Sequence, residues 1–222
     1  MGEREYPVPI WSEVHYRPQI VASMLPELLR VIDALGGDVD DAKLEFRAGS
    51  AMPDERPSVG ELGAFLAEQG VRHFTAGELT RPNHPSIAHR CGYTEFVAPR
   101  WLWPVQIVSV LLADCARRAI GAPINCVNAW RPQSYNAEVA DSTIRSDHPN
   151  AAGLDLVFRD AGERAKAEGV VRGIHAALNV RLRLGLGHQR LHVGAFAPQA
   201  SASWVYKGYR DGEVKPWTLY RR

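Results

Sequence analysis

The chain has 222 residues, 45% of them apolar, with 26 basic and 25 acidic side chains and a formal net charge of +1. That length holds one domain, or one domain with a substantial extension, and is ample for a buried core. The balanced charge supplies no field to recruit nucleic acid or an anionic membrane surface, so neither is expected as a partner.

Met1 to Pro7 carries no apolar segment behind a basic one. The expectation is a chain that is cytoplasmic as synthesised, with any exit by lysis or a signal-independent route. Residues 1–19 combine Tyr6, Trp11, Tyr16 and His15 with three prolines, a composition for an extended, packed arm. Ile20, Met24, Leu28, Val31, Ile32 and Leu35 recur at helical spacing, and Gly36-Gly37 ends that helix. Residues 38–57 hold Gly49, Pro53 and Pro57 and are expected to form a loop. Ser58 and Glu61 make a capping box before a short helix that Gly70 closes. Residues 1–70 therefore look like a mainly helical extension without a chemical motif.

From Val71 the texture changes. Phe74 to Leu79 suggests a cap and a turn of helix. Trp103 to Ile120 has an apolar side and basic residues Arg117 and Arg118 before the stop at Gly121. The longest apolar run, Trp101 to Ala113, is broken by Pro104 and Gln106 and is too short to span a bilayer. Pro123 to Trp130, Leu154 to Phe158 and Leu184 to Val193 are expected strands, and Asp160 to Asn179 an expected helix. Asp211-Gly212 signals a hairpin turn at 209–214. Segregated strands and helices imply an α+β fold: a small antiparallel sheet with flanking helices over 71–222, preceded by the helical extension. The three cysteines, Cys91, Cys115 and Cys126, form no CxxC pair. They are expected as reduced thiols, with Cys115 a buried filler.

The chemistry concentrates in two places. Ser146-Asp147-His148-Pro149-Asn150-Ala151-Ala152-Gly153-Leu154-Asp155 sets a His and an Asp seven residues apart, with Asp155 inside an apolar strand. A carboxylate there is costly unless it is paired or bound to a metal. His192 lies in a second apolar run. If the two strands pair, His148, Asp155 and His192 form a three-ligand set suited to zinc, with the fourth position left for water. Ser146 is placed to support a ligand or the turn. On spacing alone, His148 as a turn residue, Asp155 in an ion pair with an arginine and His192 as a core histidine account for the same residues.

Residues from about Phe74 to Gly194 resemble the zinc D-Ala-D-Ala carboxypeptidases of the M15 type. That family of murein peptidases shares its fold with the vancomycin-resistance dipeptidase and the hedgehog signalling domain. Its motif S-x-H-x-x-G-x-A-x-D is matched at Ser146, His148 and Asp155, with the small residues exchanged as Ala151 and Gly153. Asn128 to Asn136 is similar to the family's strand, Arg and Asn segment, and Gly185 to Gly194 to its last ligand strand.

The resemblance implies Zn²⁺ on His148, Asp155 and His192. It implies Arg131 at the substrate carbonyl as oxyanion stabiliser, with Tyr135, Asn136 and Ser146 near the substrate. The expected substrate is a small peptide, such as a peptidoglycan fragment containing D-amino acids. The chain departs from the family beside His192. Relatives place a basic Glu three residues before the ligand or a His two residues before it, where this chain has Gln189 and Arg190. Neither takes a proton at neutral pH, which leaves His188 as the substitute base. The Asp expected two residues after the ligand is Gly194. The expectation is therefore a zinc metallopeptidase. A non-hydrolytic zinc- or peptide-binding module, or a peptide-tailoring enzyme on the same fold, stands as the alternative.

Overall fold

The computed structural model describes residues 16–49, 56–139, 146–198, 202–206 and 219–221. The expected arm lies outside them except for its last residues, and the expected hairpin at 209–214 lies outside them entirely. The architecture is α+β.

Helix α1 (Pro18–Ala34) starts on a proline and buries Val21, Leu25, Leu28, Val31 and Ile32, the stripe its periodicity specifies. Residues 41–49, expected as loop, are helix α2 (Asp41–Gly49). Leu44 and Ala48, four apart, both reach the core, and the Asp40 side chain accepts the Lys43 amide at 3.1 Å. Ala42, Leu44, Phe46 and Ala48 alternate with polar residues rather than recur at helical spacing, and tertiary contact at Leu44 and Ala48 supplies the rest. In α3 (Val59–Glu68), Ser58 and Glu61 form the capping box reciprocally. The short α4 (Ala76–Thr80) repeats the device with Thr75 and Glu78. Helix α5 (Pro85–Arg90) follows. The long α6 (Trp103–Ile120) is buried along most of its length and ends on Gly121 with φ +69°, the left-handed stop that glycine favours. Cys115 on α6 is half-buried rather than buried.

Six strands form one sheet in the order β1-β2-β4-β3-β5-β6. They are β1 (Asn125–Asn128), β2 (Gly153–Val157), β3 (Leu182–Leu186), β4 (Arg190–Ala195), β5 (Ala202–Tyr206) and β6 (Leu219–Arg221). Pairing is antiparallel throughout except between β3 and β5, which run parallel. The run from Leu184 to Val193, expected as one strand, is two strands with a turn at 187–189. Helix α7 (Gln133–Glu138) leads away from β1, and α8 (Ala161–Leu178), capped by Asp160, joins β2 to β3.

Alternation gives the sheet two unlike faces. Leu154, Leu156, Leu191, Val193, Leu182 and Leu184 are buried on one face, and α6 and α8 pack against β4. The other face carries Asp155 and His192. Residues of α1, α2, α3, α6, α8 and the sheet belong to one continuous core cluster. Tyr16 ties the start of the described chain to its centre: its amide donates to Asn150 Oδ1 at 2.8 Å and its phenol to the Phe196 carbonyl. No helix among the described residues is long and apolar enough to cross a membrane.

Because Leu28 on α1 is fully buried in that shared cluster, Leu28→Ala is expected to destabilise the whole chain by about 2–5 kcal/mol. Urea unfolding followed by circular dichroism and tryptophan fluorescence should show one transition at a lower midpoint. Two separated transitions would contradict the shared core.

Candidate metal centre

The pairing of β2 with β4 sets Asp155 directly opposite His192. Directly opposed residues share a sheet face, so both side chains emerge on the face away from α6 and α8. Gly185 of β3 sits opposite His192 on its other side, and Trp204 of β5 opposite Gly185. His148 comes from a 3₁₀ turn (His148–Asn150) just before β2. That turn is closed by Asn150 N to Asp147 O at 3.1 Å, and Arg131 N anchors it to His148 O at 3.3 Å. The two imidazole centroids are 5.0 Å apart and nearly perpendicular.

The hydrogen bonds define each nitrogen. His148 Nδ1 lies 2.7 Å from the Ala129 carbonyl, which only accepts, so Nδ1 carries the proton and Nε2 a lone pair. Burial, then the charge of Arg131, lowers the pKa of His148, so the ring is neutral at pH 7. Its Nε2 lone pair faces Asp155 Oδ2 at 3.2 Å. A cation held between these two facing acceptors would satisfy both. His192 Nδ1 lies 2.9 Å from Asp155 Oδ1, and its Nε2 lies 2.9 Å from Asp147 Oδ2. Burial disfavours the charged His192, but the hydrogen bonds to Asp147 and Asp155 outweigh it and push its pKa up to about 9. Burial also opposes the Asp155 carboxylate, yet His148, His192 and Arg131 hold it well below the usual carboxylate range. Asp155 Oδ2 further accepts from Arg131 Nη2 at 2.6 Å and Asn128 Nδ2 at 3.0 Å.

His148, Asp155 and His192 together can hold a metal ion, their donor atoms all within 4.8 Å of one another. The edge of a zinc tetrahedron is about 3.3 Å for bonds of 2.0–2.1 Å, close to the 3.2 Å and 2.9 Å found at Asp155. Each ligand is also held from behind, as bound metals require: His148 by Ala129, Asp155 by Asn128 and Arg131, and His192 by Asp147.

The remaining candidate residues divide. Arg131 is buried beside Asp155, and its Nη1 donates to Asn136 Oδ1 at 3.5 Å. Ser146 Oγ accepts the His148 amide at 3.4 Å and supports the turn. Tyr135 is fully buried in a separate small cluster with Phe96 and Ala88, and its hydroxyl accepts the His84 amide at 3.1 Å. His188 is exposed in the turn before β4. Among the described residues, no hydrogen bond or ion pair joins His188 to the three ligands. Gln189 Nε2 donates to the Arg159 carbonyl at 2.7 Å.

Asp147 did not emerge from the sequence. An Asp in a loop between a Ser and a His defaults to solvent, yet this one is 2% exposed. The signal for it lies in the exchanged small residues. Ala151 has φ +54°, the left-handed region where the family motif has Gly. Gly153 stands where the motif has Ala, and a Cβ there would lie 2.7 Å from His192 Cε1 and 3.0 Å from Asp147 Cβ. The glycine at 153 leaves room for the His192 ring and for Asp147 together.

Ala151→Gly is expected to raise stability by about 0.5–1 kcal/mol, the left-handed penalty exceeding the entropy that glycine adds to the unfolded chain. Gly153→Ala is expected to lower stability and metal affinity together. Thermal melts and metal titrations of the two variants check this, and equal behaviour would contradict it. The raised pKa of His192 adds a pH dependence. Below about 9, a metal ion must displace the Nδ1 proton, so apparent affinity should rise about tenfold per pH unit from 7 toward 9 and then level. Calorimetry in buffers of different ionisation enthalpy should count one proton released at pH 7.5.

Comparison with family models, with curated proteins and with solved structures finds no match to this chain.

Proposed function

We propose that the chain is a zinc-dependent metallopeptidase of the M15 kind, acting on a small peptide such as a peptidoglycan fragment with D-amino acids. The observation that carries this reading is the convergence of His148 Nε2, Asp155 and His192 Nδ1, each with its other side already bonded. Two imidazoles and one carboxylate are donors suited to zinc. When bound, zinc polarises a carbonyl and brings the pKa of a water to about 7.

The chain's own groups supply orientation and charge. Asp155 sits at the meeting point of the two imidazoles, with Asn128 and Arg131 holding Oδ2. The Arg131 guanidinium, fixed by Asp155 and Asn136, would stabilise negative charge developing on a substrate carbonyl oxygen. Trp204 lies against His192 at a ring distance of 5.3 Å and walls the centre from the β5 side.

A second reading is favoured by the surroundings of Gln189 and Asp147. Gln189 is engaged with Arg159, outside the centre. The other carboxylate touching the ligands among the described residues, Asp147, is taken up by Arg183 and His192. A metal- or peptide-binding module that does not hydrolyse fits those facts.

Metal analysis of purified protein tests the first step: about one zinc per chain in the wild type and none in His148→Ala is expected. No zinc in either form would overturn the metal centre. Incubation with muropeptides and D-Ala-D-Ala peptides, read by mass spectrometry, tests the second. Zinc-dependent cleavage is the expected result, and full zinc loading without any product leaves the binding module. Given turnover, Arg131→Lys should keep the zinc and lower kcat by about 100-fold.

A further inference from the structure

His192 offers two nitrogens, and only one can face an ion held with His148 and Asp155. Nδ1 points at Asp155 Oδ1, and Nε2 points the other way, at Asp147 Oδ2, each at 2.9 Å. Which nitrogen donates to a metal is decided by which one is tied up as N–H. An imidazole on a strand can also rotate about its χ angles. Something must hold both the tautomer and the rotation.

Asp147 is built to do so. Its carboxylate is buried, and Arg183 Nε pairs with Oδ1 at 2.8 Å and Oδ2 at 3.0 Å. The Arg183 guanidinium in turn lies over the Trp204 ring, 5.3 Å from its centroid. The backbone of Asp147 closes the 3₁₀ turn through the amides of Asn150 and Ala152, so the residue that braces His192 is covalently next to the ligand His148. Two directly opposed glycines clear the space. Gly153 and Gly194 pair across β2 and β4. A Cβ at 194 would lie 2.6 Å from Asp147 Oδ2, and one at 153 would meet both the His192 ring and Asp147. Glycine within strands weakens them and marks close approach of another group. Here the approaching group is the Asp147 carboxylate.

We infer that Asp147 is a positioning residue of the metal centre. It accepts a hydrogen bond from the Nε2–H of His192, fixes the ring, and commits Nδ1 to the ion. The inference rests on the metal-centre reading. It also accounts for Gly194: the carboxylate enters from the loop at 147, and a side chain on the strand at 194 would occupy the same space. The brace and the ligand His148 therefore move as one turn.

The test uses the full chain, stripped of metal and titrated with zinc against a chromophoric chelator. The variants are Asp147→Ala, Asp147→Asn and the double variant Asp147→Ala with Gly194→Asp. Asp147→Ala should bind zinc about 10- to 100-fold more weakly than wild type. Asp147→Asn keeps an acceptor oxygen in place and should lose about three- to tenfold. Restoring a carboxylate at 194 should recover part of the Asp147→Ala loss. Nitrogen-15 spectra of the zinc-loaded protein give a readout that general destabilisation would not move. His192 should be protonated at Nε2 in wild type and Asp147→Asn, with that signal broadened or lost in Asp147→Ala. Zinc affinity of Asp147→Ala within about twofold of wild type, with an unchanged spectrum, would overturn the assignment alone. If Asp147→Ala does not fold, Asp147→Asn decides: affinity equal to wild type overturns the assignment. A wild type that binds no zinc would instead sink the metal centre, and this inference with it.

Discussion

A single carboxylate in an apolar strand constrains everything around it. Asp155 alternates with Leu154 and Leu156, both packed in the core, and a bare charge at that depth would cost several kcal/mol. The fold answers with Arg131, Asn128, His148 and His192. A buried ion pair between Asp155 and an arginine is therefore present, as the plainest reading of the sequence allows. It does not account for His148. With its Nδ1 proton given to Ala129, this ring turns a lone pair on a carboxylate oxygen. The Asp155–Arg131 pair leaves that contact unexplained, and a cation held between the two groups would satisfy it.

The face around Asp155 is shaped as much by missing side chains as by those present. A row runs straight across the sheet through Asn128, Asp155, His192, Gly185 and Trp204. At Gly185 a Cβ would fall 2.7 Å from both the Trp204 and the Tyr206 rings. The aromatic residues of β5 thus lean across β3 toward His192. Gly153 and Gly194 do the same for Asp147 one step along the strands. Three glycines on three adjoining strands weaken the sheet locally and let bulky groups converge from a loop and a parallel neighbour. The opposite face keeps its leucines and valines, and α6 and α8 hold the sheet from there.

Much of this was legible, for reasons that differ by residue. Helices α1, α6 and α8 announce themselves by period and by their stops, and the Ser58–Glu61 box by its spacing. Asp155 and His192 were legible because titratable side chains in apolar runs are anomalous, and His148 by its place seven residues before Asp155. Helix α2 was hidden because only Leu44 and Ala48 are buried in it. The break between β3 and β4 was hidden because both Gly185 and Gly187 lie in the run, so no one glycine marks the turn. Asp147 was hidden because sequence does not show that a loop carboxylate is enclosed. That depends on Arg183, distant in sequence, and on opposed glycines in two strands, which only the register reveals. The burial of Tyr135 against Phe96 is likewise a contact made in space.

The charges of the centre bear on what it would attract. Asp147 and Asp155 carry two negative charges, and Arg131 and Arg183 carry two positive ones. The protein's own set is thus balanced apart from the His192 proton. On the proposed reading, a divalent ion adds two charges while that proton leaves Nδ1, and the loaded centre stays positive. Little water is available to screen it, because His148, His192 and Asp147 are nearly inaccessible. A site of that kind favours ligands that bring an anionic group close to the bond being polarised. A free peptide carboxylate beside Arg131 meets that requirement, whereas a neutral internal stretch of peptide does not. On the proposed reading, that electrostatic balance would favour a substrate bound by its C-terminal carboxylate, and the pairing of Asp147 with Arg183 would contribute to it as much as the metal ligands themselves.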